Sequence, residues 1–266
     1  MQAAYNATAE IPILGTSVTE YGVALDHLSL TLRDGDFVTV IGGNGAGKST
    51  MQNAICGTWQ PDEGSIELDG VNVSALPEYK RARYLGRVYQ DPMMGTSAGM
   101  EIEENLALAE RRGRHHTLRP GIRHSEREDY RRRLRELGLG LEDRLTTKVG
   151  TLSGGQRQAL TLLMATLQKP KLLLDEHTAA LDSQTAQRVM DITDRLVREN
   201  HLTTLMITHN MRDAIHYGNR LLMLHNGRIV LEISGEEKAR LTVPDLLALF
   251  SKVSGQGYDN DRALLA

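Results

Sequence analysis

The sequence predicts an α/β fold. Apolar strand patterns alternate with helix patterns along the chain, and a glycine-rich loop directly follows the strand pattern at 37–41, which is typical of a strand buried on both faces. Hydrophobic residues make up 40% of the 266 residues and charged residues 24%, the balance of an ordinary globular protein. Because ligands of α/β folds bind at the carboxyl ends of the strands, we expect the functional site near this loop.

Apolar periodicity predicts the elements in order. Leu28, Leu30 and Leu32 alternate with polar residues, as in a half-buried strand. Residues 1–22 are weakly patterned, and we expect them to be partly loose. The other predicted elements are strand 37–41, helix 48–57, strand 64–68, helix 126–137, helix 156–167, strands 172–174 and 205–207, and a hairpin of 221–224 and 229–233 around Asn226-Gly227.

Composition and charge exclude several classes of protein. The chain has 31 basic and 34 acidic residues, a net charge of −3, which indicates neither nucleic acid nor anionic lipid as a partner. The longest apolar runs are far shorter than the ~20 residues that span a bilayer. Cys56 is the single cysteine, and no Lys or Arg precedes Arg33. We therefore expect no internal disulfide, no secretory signal and a cytosolic protein whose membrane role comes through a partner.

The glycine-rich loop has the sequence of a phosphate-binding loop. Residues 42–49 fit G-x-x-x-x-G-K-[ST] at every fixed position. The glycines allow backbone N–H groups to surround phosphate oxygens at the start of a helix. Lys48 is placed to bridge the β- and γ-phosphates, and the Ser49 hydroxyl can bind Mg²⁺. The predicted nucleotide-binding residues are Gly42, Gly43, Asn44, Gly45, Ala46, Gly47, Lys48, Ser49 and Thr50.

A second candidate anion-binding element lies at 152–156. Ser153, Gly154, Gly155 and Gln156 precede a long amphipathic helix, so a hydroxyl and flexible backbone amides can face an anion. Together with the loop, this segment closely resembles the signature of ABC-type ATPases. Four further segments follow the pattern and order of that family: 88–91 with Gln90, 172–176 with Asp175 and Glu176, 180–182 with Asp182, and 206–209 with His209.

The resemblance covers nearly the whole chain and implies a fold and a chemistry. The implied fold is a P-loop NTPase ABC cassette with a RecA-like core, an antiparallel β subdomain and an inserted α-helical subdomain. The expected domain covers 1–250, with the helical insertion at about 92–158, and 251–266 would form a loose tail. ATP and Mg²⁺ are the implied cofactors. The implied catalytic residues are Lys48, Gln90, Glu176 and His209, and the implied metal ligands are Ser49, Gln90 and Asp175.

The remaining implied roles concern the nucleotide and the partners. Tyr21 would stack on adenine, with the more distant Tyr5 as the alternative. Asp182 and the signature residues would face the ATP of another subunit in a head-to-tail homodimer, or in a dimer with a similar ATPase. Such a dimer would bind transmembrane permease subunits at the cytoplasmic face of the membrane, with an extracytoplasmic substrate-binding protein in the same system and no nucleic acid. The implied function is import of a small solute, such as an amino acid. An exporter, a soluble ABC ATPase acting on DNA or ribosomes, and a nucleotide switch without turnover are the alternatives, and Glu176 argues against the last.

Several residues depart from the family pattern or leave alternatives open. Lys171 precedes only three leucines, so the strand could begin late and shift Asp175 by one position. His177 replaces the usual proline, either as a metal or acid–base group or as a loop residue beside the site. The arginine-rich segment 111–135 would be a solvated helical face or a lipid contact. Met93, Met94 and Met100 would form either a permease-binding groove or an ordinary loop.

Overall fold

A computed structural model of the chain describes residues 2–13, 20–113 and 121–254. The strands are β1 (Gln2–Ile13), β2 (Glu20–Arg33), β3 (Phe37–Ile41), β4 (Glu63–Leu68), β5 (Val71–Asn72), β6 (Leu85–Val88), β7 (Lys171–Asp175), β8 (Thr204–Ile207), β9 (Arg220–His225) and β10 (Arg228–Ser234). The helices are α1 (Lys48–Cys56), α2 (Glu78–Arg81), α3 (Ile102–Glu110), α4 (His124–Leu137), α5 (Gly154–Thr166), α6 (Ser183–Asn200), α7 (Met211–His216), α8 (Gly235–Arg240) and α9 (Val243–Ser254), with a 3-10 turn at Val149–Thr151.

The chain divides into two compact units. Unit 1 contains the residues before Ala82 and after Leu202, and unit 2 is Ala82–Leu202. In unit 1, the order β10-β9-β3-β8 forms one sheet, with β3 parallel to both β8 and β9, and β2-β1-β4-β5 forms an antiparallel sheet. In unit 2, β6 and β7 pair in parallel. The domain bounds inferred from the sequence stay predictions.

Most predicted elements are confirmed. Every residue of β3 is buried, as its pattern indicates, and Leu28, Leu30 and Leu32 are buried along β2. Asn226 and Gly227 both have positive φ angles, 47° and 73°, which gives the two-residue turn that connects β9 to β10. Within the described ranges, no helix combines the length and apolar character needed to cross a membrane.

Both ends of the chain contain regular elements within segments that the sequence predicts to be partly or wholly loose. Part of segment 1–22 is a strand, since β1 pairs antiparallel with both β2 and β4. The segment 251–266 is not wholly a loose tail, because α9 continues to Ser254, while 255–266 lie outside the described residues. Leu246 and Phe250 of α9 are buried in a core cluster with Ile41 of β3, and this packing stabilises the helix.

Candidate functional site

The glycine-rich loop in unit 1 is wrapped around the amino group of Lys48. This side chain is only 6% exposed, and its Nζ donates hydrogen bonds to the carbonyl oxygens of Gly42, at 2.6 Å, and Gly43, at 3.0 Å. The Ala46 amide donates to the Gly43 carbonyl at 3.2 Å, which closes the turn. The loop therefore has its curved conformation with a cation at its centre.

Two glycines of the loop are required by geometry. Gly42 has a φ of +156°, and a Cβ there would overlap the carbonyl oxygen of Leu224. Gly47, with a φ of +99°, precedes α1 without a side-chain cap, and a Cβ there would lie 2.8 Å from the Ala24 carbonyl oxygen. A helix start without a side-chain cap leaves backbone N–H groups for an anion, and the neighbouring Ser49 is exposed.

His209 lies at the same edge of the unit 1 sheet as the loop. Strands β3 and β8 are parallel, and Val40 pairs with Ile207. Gly42 and His209 each come two residues after one member of this pair, so both follow the carboxyl ends of neighbouring strands. His209 is half-buried, and the next residue, Asn210, caps α7 by accepting hydrogen bonds from backbone amides.

Unit 2 shows the same arrangement for Gln90 and the two carboxylates. Strands β6 and β7 are parallel with Val88 paired to Leu174, so Gln90 and Glu176 each come two residues after the pair. Strand β7 begins at Lys171 and ends at Asp175, so Asp175 lies at the strand end without a shift. Glu176 has a φ of +47°, in the left-handed region that is unfavourable for a non-glycine residue. Backbone conformations of this kind cost free energy and are found mainly at functional sites.

An arginine that the sequence analysis missed contacts Asp175. The guanidinium of Arg87, on β6, forms an ion pair with the Asp175 carboxylate at 3.3 Å and stacks over the ring of Tyr89, 4.5 Å from its centroid. The sequence signal that could have identified Arg87 is its position in the strand that leads to Gln90, directly before Val88. The pair keeps the Asp175 carboxylate at the end of β7.

The signature segment forms the start of α5. Ser153 is the N-cap residue: its hydroxyl oxygen accepts from the Gln156 amide at 3.3 Å, while the Ser153 amide donates to the Gln156 side chain. Accepting this bond leaves the hydroxyl proton for donation to another group. Gln158, which the sequence analysis also missed, donates from its side chain to the Tyr89 carbonyl oxygen at 3.0 Å. The signature helix is therefore linked to the segment that carries Gln90.

Residues 25–179 match the model of the ABC transporter family. The chain belongs to this family. The tyrosine transport ATP-binding protein of Clostridioides difficile is 46% identical over 232 residues, which are 87% of this chain and 92% of that protein. The branched-chain amino acid transport ATP-binding protein BraG of Pseudomonas aeruginosa is 34% identical, over 85% of this chain and 93% of its own.

Solved structures of ABC cassettes share the fold. A dimeric bacterial ABC transporter cassette is 27% identical, with a TM-score of 0.73 over 88% of this chain and 98% of that one. The same cassette in a post-hydrolysis dimer bound to ADP and phosphate gives a TM-score of 0.70. The expected fold class is confirmed, and this ABC protein is an ATP-binding ATPase subunit of transport systems.

The remaining residues of interest in this ABC ATPase have structural partners. The Asp182 carboxylate caps α6 by accepting from the Thr185 amide at 3.1 Å. Hydrogen bonds with the side chain and then the amide of Thr185 lower the pKa of Asp182. His177 lies in the turn after β7, is buried and has one ring nitrogen 3.0 Å from the Thr193 hydroxyl. Burial lowers the pKa of His177 to about 4, so the ring is neutral at pH 7. Among the described residues, no three His, Cys, Asp or Glu side chains cluster as a metal site.

Two predicted features, adenine stacking by Tyr21 and the arginine-rich segment 111–135, lie partly outside the residues that the structure describes. Tyr21 is on β2, but its side chain is outside the described part of the structure, so adenine stacking stays a prediction. In the arginine-rich segment, 114–120 are likewise outside it. Described arginines of that segment pair with carboxylates, among them Arg111 with Glu126 at 3.0 Å and Arg127 with Glu103 at 2.7 Å. These pairs favour a solvated helical face.

Proposed function

We propose that this chain is the ATP-hydrolysing subunit of an importer, acting as a head-to-tail dimer that energises separate permease subunits. The observation that carries the proposal is the pair of carboxylates at the end of β7, where Asp175 is paired with Arg87 and Glu176 has a left-handed backbone conformation. Import of a small solute, an amino acid in particular, is supported by relatives named for tyrosine, branched-chain amino acid and thiamine transport.

Binding of ATP begins at the loop of 42–50. Phosphate oxygens would replace the carbonyl oxygens of Gly42 and Gly43 as partners of the Lys48 ammonium, while the open start of α1 supplies N–H donors. Hydroxyl, amide and carboxylate oxygens are hard ligands that suit Mg²⁺, and Ser49, Gln90 and Asp175 supply one each. When bound, Mg²⁺ neutralises charge that develops on the transferred phosphoryl group.

Hydrolysis needs a group that orients and deprotonates water. In our proposal Glu176 is that general base, because it follows Asp175 directly at the end of β7 and its backbone is in the strained left-handed region that is common at functional sites. His209 would contact the γ-phosphate from the edge of the sheet that also bears the loop. Gln90, exposed after β6, would contact the metal and the attacking water.

A second copy of the chain would complete the site. The Ser153 hydroxyl accepts a bond from its own helix and can donate its proton to the γ-phosphate bound by the partner. Gly154, Gly155, Gln156 and Asp182 would lie at the same interface. The dimer would bind a permease at the cytoplasmic face of the membrane, in a system with an extracytoplasmic substrate-binding protein and no nucleic acid.

The test uses Glu176→Gln, with Glu199→Gln on the exposed end of α6 as the matched control. We expect Glu176→Gln to bind ATP normally, to release phosphate at least ~100-fold more slowly, and to form a dimer with ATP in size-exclusion chromatography. The control should hydrolyse ATP as the unmodified chain does. Adding Ser153→Arg to Glu176→Gln should prevent the dimer without loss of ATP binding, because a bulky cation blocks the interface.

Three outcomes would contradict the proposal. Phosphate release by Glu176→Gln at the unmodified rate would reject the base, and an ATP-dependent dimer of the double variant would reject the head-to-tail arrangement. A chain that hydrolyses ATP but recovers no permease from native membranes would favour an ABC ATPase that acts without a transporter.

A further inference from the structure

One side chain attaches the turn that carries Glu176 to the interior of unit 2. The turn, 176–182, joins β7 to α6. Within 176–182, all of which the structure describes, His177 is the one buried residue, with 2% of its surface exposed, while Ala179 and Ala180 are exposed. The ring of His177 contacts Thr193 in the middle of α6. The turn is therefore tied to α6 through this ring.

The hydrogen bond between His177 and Thr193 has a defined direction. The ring Nε2 lies 3.0 Å from the Thr193 hydroxyl oxygen, and that hydroxyl donates its one proton to the Val189 carbonyl oxygen at 2.8 Å, one turn earlier in α6. The hydroxyl can therefore only accept from the imidazole, so Nε2 carries the proton. Both side chains are at most 2% exposed, so water does not compete for this bond.

Neither packing nor metal binding explains a histidine at this position. An apolar side chain would fill the same space without the cost of burying polar ring nitrogens. Among the residues that the structure describes, His177 belongs to no metal-binding cluster. What the ring supplies, and an apolar side chain lacks, is the N–H donor whose proton Thr193 accepts.

The anchored residue directly follows the strained backbone of Glu176. Before Glu176, β7 is held to β6 by pairing as far as Leu174 with Val88, and after it, His177 is tied to α6. The Glu176 carbonyl oxygen also accepts from the Ala179 amide at 2.9 Å. A residue with a φ of +47° keeps that conformation only where its surroundings hold it, and these contacts fix the backbone on both sides of Glu176.

We infer that His177 is a positioning residue for ATP hydrolysis: its hydrogen bond to Thr193 holds the turn from which Glu176 reaches the attacking water. The inference rests on the proposed function, in which Glu176 is the general base. Loss of the bond would release the turn and leave the phosphate-binding loop of unit 1 intact. Since a misplacement of about 1 Å can lower a rate by ~100-fold, a released turn should lower kcat and leave KM nearly unchanged.

The first experiment removes either side of the bond and measures steady-state ATP hydrolysis. His177→Leu removes the donor, and Thr193→Val removes the acceptor with almost no change of shape. The matched control is Thr166→Val, since Thr166 is also buried and its hydroxyl donates to a carbonyl oxygen of its own helix, that of Leu163 at 2.9 Å. We expect kcat to fall at least ~10-fold in the first two variants with KM within ~2-fold, and both constants of the control to stay within ~2-fold.

Two further variants separate the hydrogen bond from packing. His177→Gln ends in an amide N–H at nearly the reach of Nε2, so its kcat should stay within ~3-fold of that of the unmodified chain. The double variant His177→Leu with Thr193→Val should lose ~10-fold rather than ~100-fold, because both substitutions remove the same bond.

Nuclear magnetic resonance tests the bond without hydrolysis. In the chain labelled with isotope-enriched histidine, the ring signals of His177 are those missing from the spectrum of His177→Gln. We expect the proton on Nε2 at neutral pH, and we expect these signals to move in Thr193→Val but not in Thr166→Val. This measurement does not depend on the folding of His177→Leu.

The outcomes separate this inference from the proposed function. Unchanged kcat in both His177→Leu and Thr193→Val would overturn the inference and leave Glu176 as the base. A ring without a proton on Nε2 would also overturn it. So would a loss of kcat in His177→Leu that His177→Gln shares in full, because packing of the ring would then be the cause. Phosphate release by Glu176→Gln at the unmodified rate would reject the base, and the inference with it.

Discussion

The second glycine of the signature segment allows a prediction worked from the structure. A Cβ built on Gly155 would overlap Cγ2 of Thr185 on α6, at well under 3.0 Å, whereas nonbonded carbons normally lie about 3.5–4.0 Å apart. A Cβ on Gly154 would meet Leu181 Cδ2 at 3.4 Å, close to an ordinary contact. Gly155 has no positive φ, so the obstacle to alanine there is space rather than backbone conformation.

We expect Gly155→Ala to be destabilised by about 1–3 kcal/mol relative to Gly154→Ala. Overpacking a core position costs roughly this amount, while both variants share the helix-propensity gain of ~0.5–1 kcal/mol from replacing glycine. Thr185→Ala removes Cγ2 and leaves Cβ, which lies 3.7 Å from the new methyl group. The double variant Gly155→Ala with Thr185→Ala should therefore be about 0.5–1 kcal/mol more stable than Thr185→Ala alone, because only the helix-propensity gain remains.

Urea denaturation followed by circular dichroism measures the four free energies of unfolding in this double-mutant cycle, with Gly154→Ala as the control. The coupling free energy should be about 1–3 kcal/mol. The reasoning is refuted if Gly155→Ala is as stable as Gly154→Ala, or if Thr185→Ala gives no rescue.

Two further predictions concern buried polar side chains. The folded-state pKa of His177 is about 4 against 6.5 for an ordinary histidine, so below pH 6.5 the unfolded chain binds a proton that the folded chain binds only near pH 4. The free energy of unfolding should therefore decrease as the pH is lowered from 7 to 4. Urea denaturation at these two pH values should show a decrease that is up to ~3 kcal/mol smaller in His177→Gln than in the unmodified chain. Equal decreases in the two proteins would contradict a buried neutral ring. Arg81 is fully buried and donates four hydrogen bonds to backbone carbonyl oxygens, including that of Ala54 at the end of α1. Arg81→Met should lower the free energy of unfolding, measured in urea, by about 3 kcal/mol or more. The control Arg83→Met changes an exposed arginine and should lower it by about 0.5 kcal/mol or less. A similarly small decrease in both variants would show that the hydrogen bonds of Arg81 contribute little to stability.

Elements defined by short stretches of sequence could be predicted correctly. A continuous run of mostly apolar residues identifies β3, and the apolar period identifies α5. Asn226-Gly227 specifies its turn through backbone conformations that these two residues tolerate. The phosphate-binding loop belongs to the same class, because its glycines and Lys48 interact within eight consecutive residues, 42–49. Local steric preferences and local hydrogen bonds are sufficient to determine such features.

Contacts between distant residues were decided only by the tertiary structure. Arg87 and Asp175 are 88 residues apart and meet because β6 and β7 pair in one register, and β1 is a strand because β2 and β4 supply its hydrogen bonds. Sequence patterns report which side chains prefer to be buried, but register and packing decide which groups then meet, and so which charges are paired.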